Sequence, residues 1–250
     1  MSKSLVVSNY NSNLDWLEMV FDYKISSNDI FIYNRSDKNE DWSHLGKNIS
    51  SPNIGGNQYD VLRFIIENYD NLPDISIFVK GNIWSKPTFP DKGSSNKGNY
   101  YTTKERFIDG LCVNRLFSLW VDKWLAVNDH RHLVYTNNTL LENGILSQPI
   151  DHCNFISNND LESRYFGTVH DLWEWCFVNP PKSDSVEFIP ACNMVVPKDN
   201  ILKYTKQLYE KLFSLLYKPN SSYDPTCAES HLIERTFYYM WTTDLVEKIE

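Results

Sequence analysis

Three short polar clusters each end an apolar run, and their residue types suit anions and nucleosides. Ser8-Asn9-Tyr10 follows Leu5 to Val7, Asn34-Arg35 follows Asp29 to Tyr33, and Lys80-Gly81-Asn82 follows Ile75 to Val79. If the runs are strands of one open α/β sheet, the clusters lie beyond its carboxyl ends, where such sheets bind ligands. Two of the three clusters carry a cation, Arg35 and Lys80. Nearby, Gly55-Gly56 opens a strongly patterned helix whose free amides can face an anion. Together these features describe a pocket for a phosphorylated ligand. The plainer reading of any one cluster is that loops are polar for solvation and turn reasons; the convergence of several favours a site.

Other chemistry-bearing groups stand apart. His130 and His132 are spaced i and i+2 with no third ligand nearby, which argues against zinc. His170-Asp171 precedes Trp173-Glu174-Trp175, acids beside aromatics that can face a sugar acceptor or simply form a buried aromatic helix. Cys176 and Cys192 lack neighbours that would lower a thiol pKa, so they read as structural. No P-loop, nucleophile elbow or zincin motif occurs, and Gly55-Gly56 fits no dinucleotide pattern.

The chain that must position these groups has 250 residues, enough for one large domain. With 24 Lys and Arg against 32 Asp and Glu, its net charge is −8, which disfavours general binding to nucleic acid or anionic membranes. The five cysteines form no CxxC, so a disulfide framework is not expected. The N-terminal apolar run is too short for a signal peptide and no stretch suits a membrane span, which leads to the expectation of a soluble, cytoplasmic protein. Aromatic residues are plentiful at 14%, and such rings fill cores or stack on bases and sugars.

Along the chain, Trp16, Leu17, Val20 and Phe21 recur at helical spacing after the first strand. Lys38 to Ser51 reads as a polar loop. Tyr59, Leu62, Ile65, Ile66 and Tyr69 line the helix that starts at Gly55-Gly56 and stops before Pro73. The order strand, helix, strand, loop, helix, strand predicts an α/β fold with a mostly parallel central sheet flanked by helices. Ser85 to Tyr101 reads as a mobile loop and Leu133 to Tyr135 as a short strand. Helices are expected over Gly167 to Phe177, from Asp199 or Asn200 through Leu215, and over Ala228 to Trp241; Val186 to Val196 reads as one strand bent at Pro190. Residues 1–250 form a single domain in this reading, with a nucleotide-binding half over 1–84, the loop over 85–101, and an acceptor-side half over 102–250.

VVSNYNSNLDWL, IFIYNR and PNIGGNQYDVLRFIIENYDNLPDISIFVKGN, with the later CNMVVPKDNILKYTKQLYEKL and AESHLIERTFYYMW, resemble a largely uncharacterised family. The likeness touches most of the chain except roughly 85 to 165. That family in turn resembles nucleotide-sugar glycosyltransferases of the type A fold (GT-A), a link that rests on the order of elements.

The resemblance implies roles position by position. Ser8, Asn9 and Tyr10 would touch the nucleoside, with Tyr10 stacking. Asn34 and Arg35 would lie near base or ribose. Asn53, Gly55, Gly56, Tyr59 and Arg63 would flank the diphosphate. The third strand of such enzymes ends in a metal-holding Asp-x-Asp, yet here Lys80-Gly81-Asn82 supplies no carboxylate. Metal-independent members neutralise the leaving diphosphate with cations, a role for Lys80 and Arg235. Glu229, at the start of the late helix, matches the acid that deprotonates the acceptor hydroxyl; it can equally complement the helix dipole. Arg235 can equally be a structural ion pair. Glu234 lies at i+3 from His231, close enough to pair. Asp171 and His231 join Glu229 as catalytic candidates, and Trp84, Trp173 and Trp175 as acceptor platforms. The expectation is an inverting, metal-independent glycosyltransferase with a UDP-sugar donor and a glycan acceptor. A nucleotide- or glycan-binding protein without catalysis, or a glycoside hydrolase using Asp171 or Glu174 with Glu229, stand as alternatives.

Overall fold

Leu5 and Val7 point to one face of strand β1 (Lys3–Asn9) and Val6 to the other, and all three are buried. A strand apolar on both faces must lie inside a sheet covered twice. The computed structural model, which describes residues 1–36, 40–84, 102–120, 139–149, 165–216 and 228–248, places it so. β1 pairs in parallel with β2 (Ile30–Asn34) on one side and β4 (Ile75–Lys80) on the other. β3 (Lys47–Ser50) extends the sheet beside β2, also in parallel. Beyond β4 comes β10 (Met194–Pro197), antiparallel, and then β5 (Phe117–Ser118), antiparallel to β10. The six-stranded order is therefore β3-β2-β1-β4-β10-β5. The protein is mixed α/β with a mostly parallel central sheet flanked by helices.

The order carries a consequence for ligands. From β1 the chain steps outward through β2 to β3, then returns to the opposite side of β1 to make β4. Right-handed crossovers running in opposite directions land on opposite faces. The 3₁₀ helix Asp15–Tyr23, between β1 and β2, packs Leu17 and Val20 onto the face that carries Leu5, Val7, Ile30, Ile32, Ile77 and Val195. Helix α1 (Gly56–Asn68), between β3 and β4, packs Leu62, Phe64 and Ile65 onto the other face, with Val6, Phe78 and Met194. In open α/β sheets such a reversal marks the ligand crevice, which here falls beyond the carboxyl ends of β1 and β4.

Helix α2 (Lys104–Cys112) closes the first face through Phe107 and Leu111. Over the second lie α3 (Val169–Cys176), α4 (Lys198–Ile201), α5 (Lys206–Leu216) and α6 (Ala228–Thr242). Trp241 of α6 stacks on Phe237 at 4.9 Å and faces Phe78 of β4 at 6.5 Å, tying the last helix to the sheet. A small antiparallel sheet of β6 (Thr139–Leu140), β7 (Leu146–Pro149) and β9 (Ser185–Phe188), and a two-strand pair of β8 (Phe177–Val178) and β11 (Val246–Glu247), complete the described elements. Among the described residues no helix is long and apolar enough to cross a membrane.

The structure departs from the sequence expectations in four places. Trp16 to Phe21 wind as 3₁₀ rather than α-helix, with Phe21 40% exposed. The polar stretch ending at Ser51 contains β3, an edge strand whose exposed Lys-Asn-Ile-Ser sequence shows no apolar alternation. Val186 to Val196 is two strands in two sheets, because Pro190 to Cys192 turns the chain between β9 and β10. The helix expected from Asp199 through Leu215 is broken between Ile201 and Lys206. The loop 85–101, His130, His132 and Leu133 to Tyr135 lie outside the described residues.

Candidate functional site at the carboxyl ends of β1 and β4

The crevice is built from strand ends that are stitched together. The backbone N–H of Arg35 donates to Asn9 O at 2.8 Å, and that of Gly81 donates to Ser8 O at 2.8 Å. Trp16 Nε1 donates to Gly81 O at 2.9 Å. A Cβ at Gly81 would collide with Asn9 Oδ1, so glycine there lets the Asn9 amide lie against the β4 backbone. Tyr10 is 50% exposed at the mouth, as a stacking ring must be, while Asn82 is only partly exposed.

Two sequence-selected cations turn out to be engaged within the fold. Arg35 Nε donates to Asp60 Oδ2 at 2.7 Å, its Nη2 donates to Gly56 O, and both side chains are buried. Ser51 Oγ donates to the other Asp60 oxygen at 2.6 Å, and Ser8 also bonds this carboxylate. Burial pushes the Asp60 carboxyl up, against Arg35 and the two hydroxyls that pull it down. The pair thus staples the ends of β1, β2 and β3 to the start of α1. Arg63 lies two turns along α1, bonded to Glu67 at 2.8 Å and to Ser50 O at 2.9 Å. Asn34 Nδ2 donates to Glu40 O at 3.0 Å, and Asn53 is exposed.

The α1 entrance adopts the conformation glycine allows. Gly55 and Gly56 have φ of 63° and 58°. A Cβ at Gly55 would press on Leu216 of α5, and one at Gly56 would meet the Gln58 amide at 2.5 Å and Ser230 Oγ of α6 at 3.9 Å. The amino ends of α1 and α6 therefore approach each other beside the crevice. Tyr59, next along α1, is buried and packs on Phe213 at 4.7 Å.

The start of α6 brings the remaining polar residues together. Glu229, Ser230, Glu234 and Arg235 are all buried. Arg235 Nε donates to Gln148 Oε1 at 2.8 Å and Nη1 donates to His231 O at 3.0 Å; the guanidinium lies 4.4 Å from the Phe188 ring centre. Glu234 Oε1 accepts the backbone N–H of Ala191 at 2.6 Å, and its Oε2 lies 3.4 Å from Arg235 Nη1. Burial pushes the Glu234 carboxyl up, against Arg235, Lys80 and the Ala191 N–H. His231 is pushed down to about 3, by desolvation first and then by the charges of Arg235 and Lys80. Lys80, half-buried at the end of β4, thus acts electrostatically on both Glu234 and His231. Sequence reasoning paired Lys80 with Arg235 and took His231 as a catalytic candidate; in the fold the charges of both cations act on His231.

The aromatic candidates separate. Trp173 is fully buried, donates from Nε1 to Thr236 Oγ1 at 3.1 Å and stacks on Tyr239 at 4.4 Å, so it is core. Trp175 is partly buried, with Lys211 Nζ 4.1 Å from its ring centre. Trp84 stands edge-on to Trp16 and Phe107, both at 5.6 Å, at the β4 end of the crevice. Asp171 forms a capping box: its carboxylate accepts the Thr168 N–H at 2.7 Å while Thr168 Oγ1 accepts the Asp171 N–H at 3.2 Å. Cys176 and Cys192 are buried; burial pushes the first thiol to about 12 and the second well up.

Sequence reasoning missed the Pro190–Asn193 turn. Ala191 and Cys192 both have left-handed φ, 60° and 51°, and Asn193 N donates back to Pro190 O at 3.4 Å. Asn57 Nδ2 donates to Ala191 O at 2.7 Å, and Asn193 Oδ1 accepts the Lys80 N–H at 2.9 Å. The signal was Pro and Asn flanking two residues between apolar runs. Among the described residues no group of three or more His, Cys, Asp or Glu is placed to hold a metal ion. No protein-family model, curated protein or solved structure matches the chain.

Proposed function

We propose that the protein transfers a sugar from a nucleoside diphosphate donor, a UDP-sugar, to a glycan hydroxyl without a divalent metal. The observation that carries this reading is the position of Lys80: it ends β4 beside the topological reversal, near enough to His231 and Glu234 of α6 for its charge to act on both. A diphosphate in the crevice would meet a lysine where a metal-dependent enzyme needs carboxylates. Charge grows on the diphosphate as the glycosidic bond breaks, and a fixed cation there stabilises the transition state more than the ground state. The acceptor oxygen bonds to the anomeric carbon as its proton passes to Glu229, and the nucleoside diphosphate leaves from the opposite face, inverting the centre. Tyr10 stacks on the base and Trp84 flanks the acceptor side.

A second reading has its own support. Glu229 and Arg235 are each only 1% exposed, and the Arg235 guanidinium already serves Gln148, His231 O and Glu234. Such a site suits a nucleotide-binding protein that performs no transfer. Thermal stabilisation by a panel of nucleotide sugars, with Mn²⁺ and with EDTA, followed by turnover with the best donor, separates the readings. Metal-independent stabilisation with turnover supports the transferase, stabilisation alone the binding protein, and no shift with any nucleotide removes both. In the transferase, Glu229→Gln loses turnover and keeps donor affinity.

A further inference from the structure

The Pro190–Asn193 turn is costly to hold, and the structure holds it from three sides. Two successive non-glycine residues in left-handed conformation cost about 1–2 kcal/mol each. Strain of this kind persists only where surroundings over-determine it, and it gathers at ligand clamps. Here Glu234 grips the Ala191 N–H, Asn57 grips the Ala191 carbonyl, and the Gln58 amide bonds the Cys192 thiol. The residue delivered by the turn is Asn193, fully buried against the end of β4. Its Oδ1 accepts the Lys80 N–H, which fixes the amide orientation and leaves Nδ2 as a donor. Among the described residues that Nδ2 has no hydrogen-bond partner.

Across β4 the arrangement repeats. Asn9, also fully buried, accepts the Ser12 N–H through Oδ1 at 3.2 Å, and its Nδ2 likewise has no partner among the described residues. A buried donor left unmade costs about 1–3 kcal/mol. Two of them flank the strand end that carries Lys80, at the reversal where α/β sheets bind ligands.

The geometry points to Asn193 as a binding residue: its Nδ2 donates to a diphosphate oxygen of the ligand held beside Lys80, with the Nδ2 of Asn9 as a second donor on the other side of β4. An amide donor and an ammonium together suit an acceptor-only, anionic group, and an uncharged nucleoside offers no such oxygen. The inference rests on the nucleotide reading above and adds to it a residue from the antiparallel strand connection.

The direct test follows the side-chain amide resonance of Asn193 in the full-length protein, assigned by its disappearance in Asn193→Asp. UDP and inorganic pyrophosphate are each added in EDTA, with uridine as the uncharged control. The expected result is that UDP and pyrophosphate move the resonance and uridine does not. Asn193→Asp keeps an acceptor for the Lys80 N–H but sets a carboxylate against the diphosphate, so UDP affinity falls at least tenfold while the unliganded melting temperature stays within a few degrees. If that variant fails to fold, the Asn193 resonance is assigned in the wild type by through-bond triple-resonance experiments, and its response to UDP, pyrophosphate and uridine decides. UDP binding to the wild type with an unmoved Asn193 resonance, or movement with uridine, overturns this assignment and leaves the nucleotide reading standing. Absence of any UDP or pyrophosphate binding to the wild type overturns both.

Discussion

Glu234 Oε1 accepts the backbone N–H of Ala191 at 2.6 Å, so a buried carboxylate on the last helix holds a left-handed turn between two sheets. The same carboxylate faces Arg235 and lies within the field of Lys80. Removing it takes the neighbouring carboxylate from the buried Arg235 guanidinium and the acceptor from the Ala191 N–H together. Glu234→Ala should destabilise the fold by about 3–5 kcal/mol. Glu234→Gln keeps an acceptor for Ala191 and should cost clearly less. Urea unfolding of both variants checks the order; equal losses would show that the Ala191 contact contributes little.

Ala191 itself offers the converse experiment. At φ 60° a glycine relieves the left-handed penalty of about 1–2 kcal/mol, offset in part by the lost methyl. Ala191→Gly should therefore be neutral to mildly stabilising, whereas Ala191→Val, branched at Cβ, should be strongly destabilising. A marked loss on Ala191→Gly would contradict the strain argument.

Arg35 stood out in the sequence as a ligand cation, and the structure buries it against Asp60. Arg35→Met should lower stability by about 3–5 kcal/mol by leaving the Asp60 carboxylate unpaired. Arg35→Met combined with Asp60→Leu should recover much of the loss, because apolar replacement of a whole buried pair is often near neutral. No recovery in the double variant would argue that Arg35 acts outside this pair.

His231 gives a pH signature. Its folded pKa, about 3, lies below the ordinary value of 6.5, so the unfolded chain binds the proton more readily between those values. Its contribution is fully present above pH 6.5 and is lost as pH falls toward 3. His231→Gln cannot take up that proton, so its melting temperature relative to wild type should rise as pH drops from 7 to 4. A difference that stays constant across that range would remove the partly buried, charge-flanked histidine as the cause.

The strand-end clusters and the parallel part of the sheet were legible because β1, β2 and β4 are short apolar runs stopped by polar residues, and burial on both faces leaves that mark. β3 was not legible, since an exposed edge strand needs no apolar side of its own. Pro190 marked an edge or bend, but the alternating Ser-Val-Glu-Phe of β9 and the continuous apolar run of β10 are both compatible with one long strand, and only their pairing partners place them in separate sheets. At the site, Lys80, His231 and Arg235 were visible by type, while their meeting depends on how α6 packs beside β4. Asp60 and Gln148 carried no local signal, being polar residues whose partners, Arg35 and Arg235, lie 25 and 87 positions away in sequence. Trp173 was misassigned to an acceptor surface because an aromatic residue reads alike in a core and on a platform; its stack on Tyr239 and bond to Thr236 place it inside.

In the proposed function, the crevice beyond β1 and β4 binds a nucleoside diphosphate through Lys80 without a metal. Isothermal titration of UDP in EDTA, into wild type and Lys80→Ala, tests it most directly. Saturable one-to-one binding is expected, unchanged by Mn²⁺ and weakened at least tenfold by Lys80→Ala. Binding that appears only with Mn²⁺, or that Lys80→Ala leaves intact, would contradict it.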